Sequence, residues 1–193
     1  MRARRTELRG VLADPGADAR IRVAALGALV RGGTKADARQ AWRTAASDVD
    51  PVLRRRAAEL APKVPTPAAV VLLALLADDD GLAREAACFA AGEIGWPPAD
   101  RSAVVAVLVA RAADRDALVR EAAVAALGAL GDPAGLPAVL TACGDRPAVR
   151  RRAVLALATF DGPEVEAALE RALEDPDWQT RQAAEDLTVH PAD

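Results

Sequence analysis

Aromatic residues are scarce in this chain of 193 residues, which contains two phenylalanines, three tryptophans and no tyrosine. The two sheets of a β-sandwich pack through aromatic and β-branched side chains, so this scarcity argues against that class. Alanine is the dominant residue instead, with 49 copies. Because alanine favours helices and lets them approach closely, the composition predicts an all-α protein.

Side chains that carry chemistry are also few. The chain has one histidine, His190, and two cysteines, Cys88 and Cys143, which lie far apart within alanine-rich helical patterns. A metal site built from several imidazoles is thereby excluded within one chain, and no glycine-rich phosphate loop, nucleophile elbow or metalloprotease motif occurs. We expect reduced cysteines, a solvated histidine, no metal, no cofactor and no enzymatic activity. The 28 acidic residues leave a two-carboxylate site open, although no spacing singles out a pair.

Long apolar segments are absent as well. The longest apolar run, Ala68–Ala77, spans ten residues, whereas a helix that crosses a membrane needs about 20. The basic start of the chain is not followed by the apolar segment of a signal peptide. We therefore expect a cytoplasmic protein without a membrane partner. Arginine outnumbers lysine 23 to 2, which together with the alanine content suggests a bacterial source.

The chain does contain a repeat, with a period of 30 to 36 residues. Each copy has a marker aspartate, an arginine six residues later and a small apolar residue nine residues later. This spacing places the arginine and the apolar positions on one face of a helix, which indicates a tandem array. The six pairs are Asp14 and Arg20, Asp48 and Arg54, Asp78 and Arg84, Asp114 and Arg120, Asp145 and Arg151, and Asp175 and Arg181.

Each repeat is expected to form two helices. Asp50 and Asp116 stand two residues after a marker aspartate, where the second helix should have its N-cap. The marker aspartate would lie in the turn between the helices and accept hydrogen bonds from the backbone and from the arginine of the next repeat. Such an inter-repeat ladder would fix the register of the repeats, with less than about 1 kcal/mol for each exposed pair. The predicted repeats, in one domain over residues 1–193, are 2–33, 34–64, 65–95, 96–131, 132–161 and 162–190.

The segment DRDALVREAAVAALGALG at residues 114–131 resembles HEAT repeats. Its short period is similar to that of the HEAT-like repeats first named for phycobilisome lyases. The resemblance implies an α-solenoid, a right-handed superhelix of about six two-helix repeats whose second helices line a concave face. It also implies a binding scaffold, since these repeats mostly serve as interaction surfaces.

The concave face would present the residues seven, eleven and fifteen positions after each marker aspartate. Phe89 between Glu85 and Glu93 is the most distinctive part of this stripe, because it is an apolar anchor flanked by two acids. We expect the stripe to bind a protein or peptide partner. The residues assigned to it are Arg55, Glu59, Glu85, Phe89, Glu93, Glu121 and Arg152.

Two alternative functions stay open at this point. Residues 1–65 carry a formal charge of +7 and residues 66–193 a charge of −10. Only the first repeats could therefore follow a nucleic-acid backbone, as in DNA glycosylases built from HEAT-like repeats, with Arg54 and Arg56 as candidate anion contacts. The second alternative is a lyase or chaperone-type enzyme subunit, which the resemblance to bilin lyases suggests. The polar first and last helices predict a complete, capped monomer.

Overall fold

Helices form the regular structure of the protein. The computed structural model describes residues 2–189, which contain twelve α-helices and no β-strand, so the all-α prediction is confirmed. Short 3-10 turns lie at Ala61–Lys63, Pro133–Gly135 and Leu157–Thr159. The helices are α1 (Arg2–Ala13), α2 (Ala19–Gly32), α3 (Lys35–Ala46), α4 (Pro51–Leu60), α5 (Ala69–Leu76), α6 (Gly81–Glu93), α7 (Pro98–Arg111), α8 (Ala117–Leu130), α9 (Leu136–Ala142), α10 (Pro147–Ala156), α11 (Pro163–Leu173) and α12 (Trp178–Val189).

The chain divides between Ile94 and Gly95 into two compact units, the first with α1 to α6 and the second with α7 to α12. Within each unit, consecutive helices pack as hairpins. The second helices of the hairpins also pack on one another, α2 on α4 and α4 on α6 in the first unit, and α8 on α10 and α10 on α12 in the second. Each hairpin thus buries its apolar face against the next hairpin of its unit.

Aspartates determine where most of the second helices begin. The carboxylates of Asp50 and Asp116 accept hydrogen bonds from the N–H groups of Val52 and Leu118, at 2.9 Å and 3.0 Å. These bonds satisfy N–H groups that have no partner within the helix. Pro51 occupies the first position of α4, where its missing N–H costs nothing.

One large side chain, that of Trp42, is fully buried in α3, and its indole N–H donates a hydrogen bond of 2.9 Å to the carbonyl oxygen of Ala57 in α4.

Small side chains set the distance between the helices. At Gly128 the helices α8 and α10 approach so closely that an added Cβ would lie 2.6 Å from the Cβ of Ala156. The alanine-rich composition therefore serves close helix packing.

Both cysteines are reduced, with Cys88 buried and Cys143 partly buried. Burial raises the pKa of the Cys143 thiol to about 11. The thiol is therefore protonated at neutral pH, which makes it a poor nucleophile and metal ligand.

An arginine links each pair of consecutive turns where both turns belong to one unit. Arg54 of α4 donates from Nη1 to the carbonyl oxygens of Asp48 and Val49, both at 3.0 Å. From Nε and Nη2 the same guanidinium donates to both carboxylate oxygens of Asp78 in the next repeat, at 2.7 Å and 2.9 Å. One side chain thus joins the turn of its own repeat to the turn that follows. Asp78 therefore accepts from the arginine of the preceding repeat, whereas the sequence predicted the arginine of the next repeat.

The second unit contains the same arrangement. Arg120 donates to the carbonyl oxygen of Asp114 at 2.9 Å and to the carboxylate of Asp145 at 2.6 Å and 2.8 Å. The marker carboxylates have a second function, because Asp114 also accepts a hydrogen bond of 3.0 Å from the N–H of Asp116 and so holds the turn in shape. The inter-repeat ladder consists of these arginines and the aspartates that they contact.

The first repeat differs from the sequence-based pairing. Arg22, not Arg20, donates to the carboxylate of Asp48 and, at 3.0 Å, to the carbonyl oxygen of Leu12. Arg20 is exposed, and its backbone N–H donates to the N-cap carboxylate of Asp18.

The fifth repeat differs in the same manner. Arg150, not Arg151, donates to the carbonyl oxygen of Asp145 at 2.8 Å and to the carboxylate of Asp175 at 2.8 Å and 2.7 Å. The side chain of Arg151 donates to Gln179 instead. Pairing by distance from the marker aspartate is therefore wrong in two of the six repeats.

The reason for both differences is the length of the turn. In every repeat the arginine that donates to the turn carbonyl stands four residues after the helix N-cap, because one helical turn brings its guanidinium back over the turn. The marker aspartate lies two residues before the N-cap in four repeats, but four residues before it in the first and one residue before it in the fifth. The arginines are Arg22, Arg54, Arg84, Arg120, Arg150 and Arg181.

The aspartates of the ladder are held in their charged form. Hydrogen bonds from the arginines keep the pKa of Asp145 and of Asp175 below the usual carboxyl range. Burial opposes the ionisation of Asp78, but hydrogen bonds from Arg54 and from the N–H of Asp80 outweigh it, so the pKa of Asp78 is lowered too. These shifts couple the ionisation of the ladder to folding.

We predict that Asp78→Ala lowers the free energy of unfolding by about 3 kcal/mol, because it leaves the largely buried Arg54 guanidinium without its carboxylate. Asp79→Ala is the matched control. It also removes a carboxylate bonded to Arg54, but the Asp79 side chain is 94% exposed against 6% for Asp78. Its cost should be less than about 1 kcal/mol. Urea denaturation followed by circular dichroism measures both, and equal costs would contradict the ladder's role.

Acid should weaken the fold through the same carboxylates. Because their pKa values are lower in the folded chain, their contribution is complete above the unfolded-chain value of about pH 4. It is lost as the pH falls through the lower folded values. Urea midpoints measured down the pH scale should therefore decline steeply only below about pH 4, with a smaller decline for Asp78→Ala than for the parent. A decline of the same size in both proteins would exclude Asp78 as a contributor.

A pair of glycine substitutions tests the close packing. Gly128→Ala should destabilise the protein by about 1 to 3 kcal/mol, since the new methyl group overlaps Ala156. Gly10→Ala in α1 meets open space and should stabilise by about 1 kcal/mol through helix propensity. Urea denaturation should give effects of opposite sign. A neutral Gly128→Ala would show that α8 and α10 can separate freely.

Candidate functional site

A groove lies between the second helices of the second and third repeats. It has a volume of about 280 Å³ and opens on the exposed side of α4 and α6. Five of the seven residues of the predicted stripe line it together. The lining residues are Arg55, Glu59, Pro62, Leu82, Glu85, Ala86, Phe89, Ala90 and Glu93.

The wall from α6 presents an aromatic ring between acids. Glu85, Phe89 and Glu93 follow one another at intervals of four residues, so they form one row along the helix. Phe89 is 42% exposed and Leu82, one turn before Glu85 and Ala86, is 45% exposed. Water therefore covers apolar surface here that a partner could bury.

On the wall from α4, two arginines share one carboxylate. The Glu59 carboxylate receives Arg55 Nε at 3.1 Å and Arg56 Nη1 at 2.7 Å. All three side chains are about one-third to one-half exposed, so the pairs are solvated and contribute little to stability. Two guanidinium groups and one carboxylate leave these three side chains with a formal charge of +1.

The two predicted anion contacts are occupied by protein groups. Arg54 is bound by Asp78, Asp79 and two carbonyl oxygens, and its side chain is 15% exposed. It is therefore not available to a phosphate, which corrects the sequence-based assignment. Arg56 pairs with Glu59 as described.

The basic start of the chain is partly neutralised in the same way. Arg9 and Arg5 of α1 reach the buried carboxylate of Asp37 at 2.8 Å and 3.4 Å. The pKa of Asp37 is lowered, first by the backbone hydrogen bond of Thr34 and then by the Thr34 hydroxyl. Thr34 and Asp37 form a capping box at the start of α3, so these arginines support a helix terminus.

The remaining two stripe residues lie in the second unit. Glu121 of α8 and Arg152 of α10 form an ion pair of 3.4 Å. Beside it, a groove of about 220 Å³ is floored by small residues such as Ala125 and Gly128. The residues of the predicted stripe are therefore distributed over both units. His190 lies outside the described residues.

Four groove residues were missed by the sequence-based prediction. Pro62 belongs to the 3-10 turn after α4, and the apolar periodicity of the sequence does not predict this turn. Leu82, Ala86 and Ala90 lie seven residues before, three before and one after Phe89, so a helical wheel drawn around Phe89 would have found the first two. The small side chains of Ala86 and Ala90 leave the space that makes the surface concave.

The described residues contain neither a cluster of metal ligands nor a membrane-spanning helix. Among residues 2–189, no three histidine, cysteine or carboxylate side chains cluster so that they could hold a metal ion. Within the same residues, no helix has both the length and the apolarity to cross a membrane.

Comparison with known families gives a match to HEAT repeats over residues 69–148 and 144–185. No curated protein matches the sequence.

Solved structures resemble the chain over nearly its whole length. An Escherichia coli protein, YibA, is 21% identical, with 93% of this chain and 67% of that chain covered at a TM-score of 0.71. A designed armadillo repeat protein in complex with the peptide (KR)4 is 15% identical, with 95% of this chain and 97% of that chain covered at a TM-score of 0.68. The structure of computationally designed armadillo repeat proteins for modular peptide recognition is 16% identical, with 95% of this chain and 98% of that chain covered at a TM-score of 0.67. At these identities the likeness concerns the fold, and it confirms the prediction of an all-α repeat protein of the solenoid class.

Proposed function

Because the chain belongs to the HEAT-repeat family, we propose that it is a non-enzymatic scaffold that binds a segment of a protein partner in the groove between α4 and α6. The observation that carries this proposal is the exposed ring of Phe89 in a concave, helix-walled surface. Aromatic side chains in such positions dominate the binding energy of protein interfaces.

The groove is built on a fixed support. The helices α4 and α6 pack directly on each other, and Arg54 of α4 holds the turn that precedes α6 through Asp78. A surface that is already ordered loses little conformational entropy when it binds. This rigidity favours recognition of a flexible segment, which then bears most of the ordering cost.

The size of the groove limits what enters it. A volume of about 280 Å³ accommodates a few side chains, so the natural ligand is a short extended segment or a loop. The designed armadillo proteins, which share the fold, bind peptides, and this supports the same use of the second helices here.

The two carboxylates of α6 are too far apart along the helix to act as an acid–base pair. Glu85 and Glu93 stand eight residues apart on one helix, which places them about 12 Å apart along its axis. Paired catalytic carboxylates lie within about 5 to 10 Å of each other. Glu59 is held by two arginines. These contacts favour binding over catalysis.

A nucleic-acid partner is not favoured either, because Arg54, Arg56, Arg5 and Arg9 all contact carboxylates of the protein itself. Phosphate binding would have to displace these ion pairs.

Selection of random peptides displayed on phage tests the proposal. Peptides enriched on the parent protein should bind Phe89→Ala at least about tenfold more weakly, since the anchor is lost. Val70→Ala is the matched control, because Val70 is a 73% exposed apolar side chain of α5 in the same unit. It should change the affinity by less than about twofold.

Fluorescence anisotropy of the selected peptides measures these affinities. Failure to enrich any peptide, or equal binding to the parent and Phe89→Ala, would contradict the proposal. Circular dichroism of each variant establishes that the helices are intact.

A further inference from the structure

A second cavity, the first-repeat pocket, lies between the first turns of α1 and the last turns of α2. It has a volume of about 280 Å³ and shares no lining residue with the groove between α4 and α6. Its lining includes Arg4, Arg5 and Leu8 of α1, and Leu29 and Gly32 of α2. We propose that this pocket binds a carboxylate attached to a short apolar group. The inference does not depend on the function proposed for the groove.

Two arginines supply the donors for the carboxylate. Arg4 and Arg5 stand four and three residues before Leu8, so the three side chains share one face of α1. Arg4 is exposed and forms no ion pair within the described residues. Arg5 approaches Asp37 most closely through Nε, at 3.4 Å, and this contact is not a hydrogen bond. The terminal nitrogens of both guanidinium groups can therefore donate to an incoming carboxylate.

The acids of the surrounding helices do not cancel this positive charge. α1 contains four arginines and one acid, Glu7, and α2 contains no acid. Asp37 is the only acid of α3, and Arg5 and Arg9 share its single carboxylate. The four arginines of α1 together with Glu7 and Asp37 thus carry a formal charge of +2. The pocket therefore attracts an anion.

The rest of the pocket is largely apolar. Leu29 is fully buried, and Leu8 and Ala28 are partly buried. At Gly32 the pocket has room, because an added Cβ would meet no atom within 4 Å. A bare phosphate ion would leave this apolar surface in contact with water, whereas an apolar group attached to a carboxylate would cover it. The lining therefore favours an apolar carboxylate over an inorganic anion.

Fluorescence anisotropy at physiological ionic strength tests the inference with two labelled peptides of glycine and serine that end in leucine. One peptide has a free C-terminal carboxylate, and the other has a C-terminal amide. The free acid should bind the parent protein at least about tenfold more tightly, because only it offers a carboxylate to Arg4 and Arg5. Equal affinities of the two peptides would overturn the inference.

Competition identifies the source of the carboxylate. Octanoate has the same chemistry in a free acid and should displace the peptide, whereas inorganic phosphate at the same concentration should not. Tighter binding of octanoate would indicate a small-molecule acid, and tighter binding of the peptide would indicate the C-terminus of a chain. Equal displacement by octanoate and phosphate would overturn the apolar part of the inference.

One pair of substitutions separates the pocket from general charge attraction. Arg4→Gln should weaken the free-acid peptide by about tenfold and leave the amide nearly unchanged. Arg2→Gln is the matched control, since it removes an exposed arginine of the same helix that does not line the pocket. It should change the affinity by less than about twofold. Equal losses in the two variants would overturn the inference.

A second pair fills the pocket without removing charge. Gly32→Leu places a large side chain where the structure has space, so it should weaken the free-acid peptide at least about tenfold. Gly10→Leu is the matched control, because an added Cβ there also meets no atom within 4 Å and Gly10 does not line the pocket. Circular dichroism checks that both variants keep their helices. Unchanged affinity in Gly32→Leu would overturn the inference.

Phe89→Ala distinguishes this pocket from the groove. Binding of the free-acid peptide should be unchanged in this variant, since Phe89 lines only the groove. Loss of binding would place the peptide in the groove and overturn the inference about the pocket. Failure of the pocket would leave the function proposed for the groove untouched.

Discussion

The contact on which the structure depends is the guanidinium that donates to two turns at once. Arg54 uses one nitrogen for the carbonyl of its own turn and two nitrogens for the carboxylate of the next turn. This geometry fixes both the distance and the angle between neighbouring hairpins. A core of alanine and leucine is non-directional and could slide by one helical turn. The ladder prevents such sliding. It therefore specifies the register of the repeats and also stabilises it.

A fixed register gives the protein a defined surface. Because the ladder holds α4 and α6 in register, the side chains that project between them keep their relative positions, and the ring of Phe89 stays 42% exposed. One of only two phenylalanines in the chain, Phe89, is exposed. The proposed function uses this large side chain as the apolar contact that the small core residues cannot provide.

The sequence predicted the helical repeats well, because apolar periodicity and aspartate N-caps are local signals. It failed where spacing along the chain differs from spacing in the fold. The turns before α2 and α10 differ in length from the others, so Arg22 and Arg150 donate where Arg20 and Arg151 were predicted. Part of the groove was predictable because Phe89, Glu85 and Glu93 share one helix. The pairing of Arg55 and Arg56 with Glu59, and the place of Pro62 in the lining, depend on side-chain packing that periodicity does not encode.

Hydrogen–deuterium exchange of the whole protein, free and with a saturating selected peptide, tests whether the groove is preformed. We expect the amides of α4 and α6 to be already strongly protected in the free protein. We also expect the added protection on binding to be concentrated in these two helices. Protection that appears only elsewhere in the chain, or α4 and α6 amides that exchange freely until the peptide binds, would contradict these expectations.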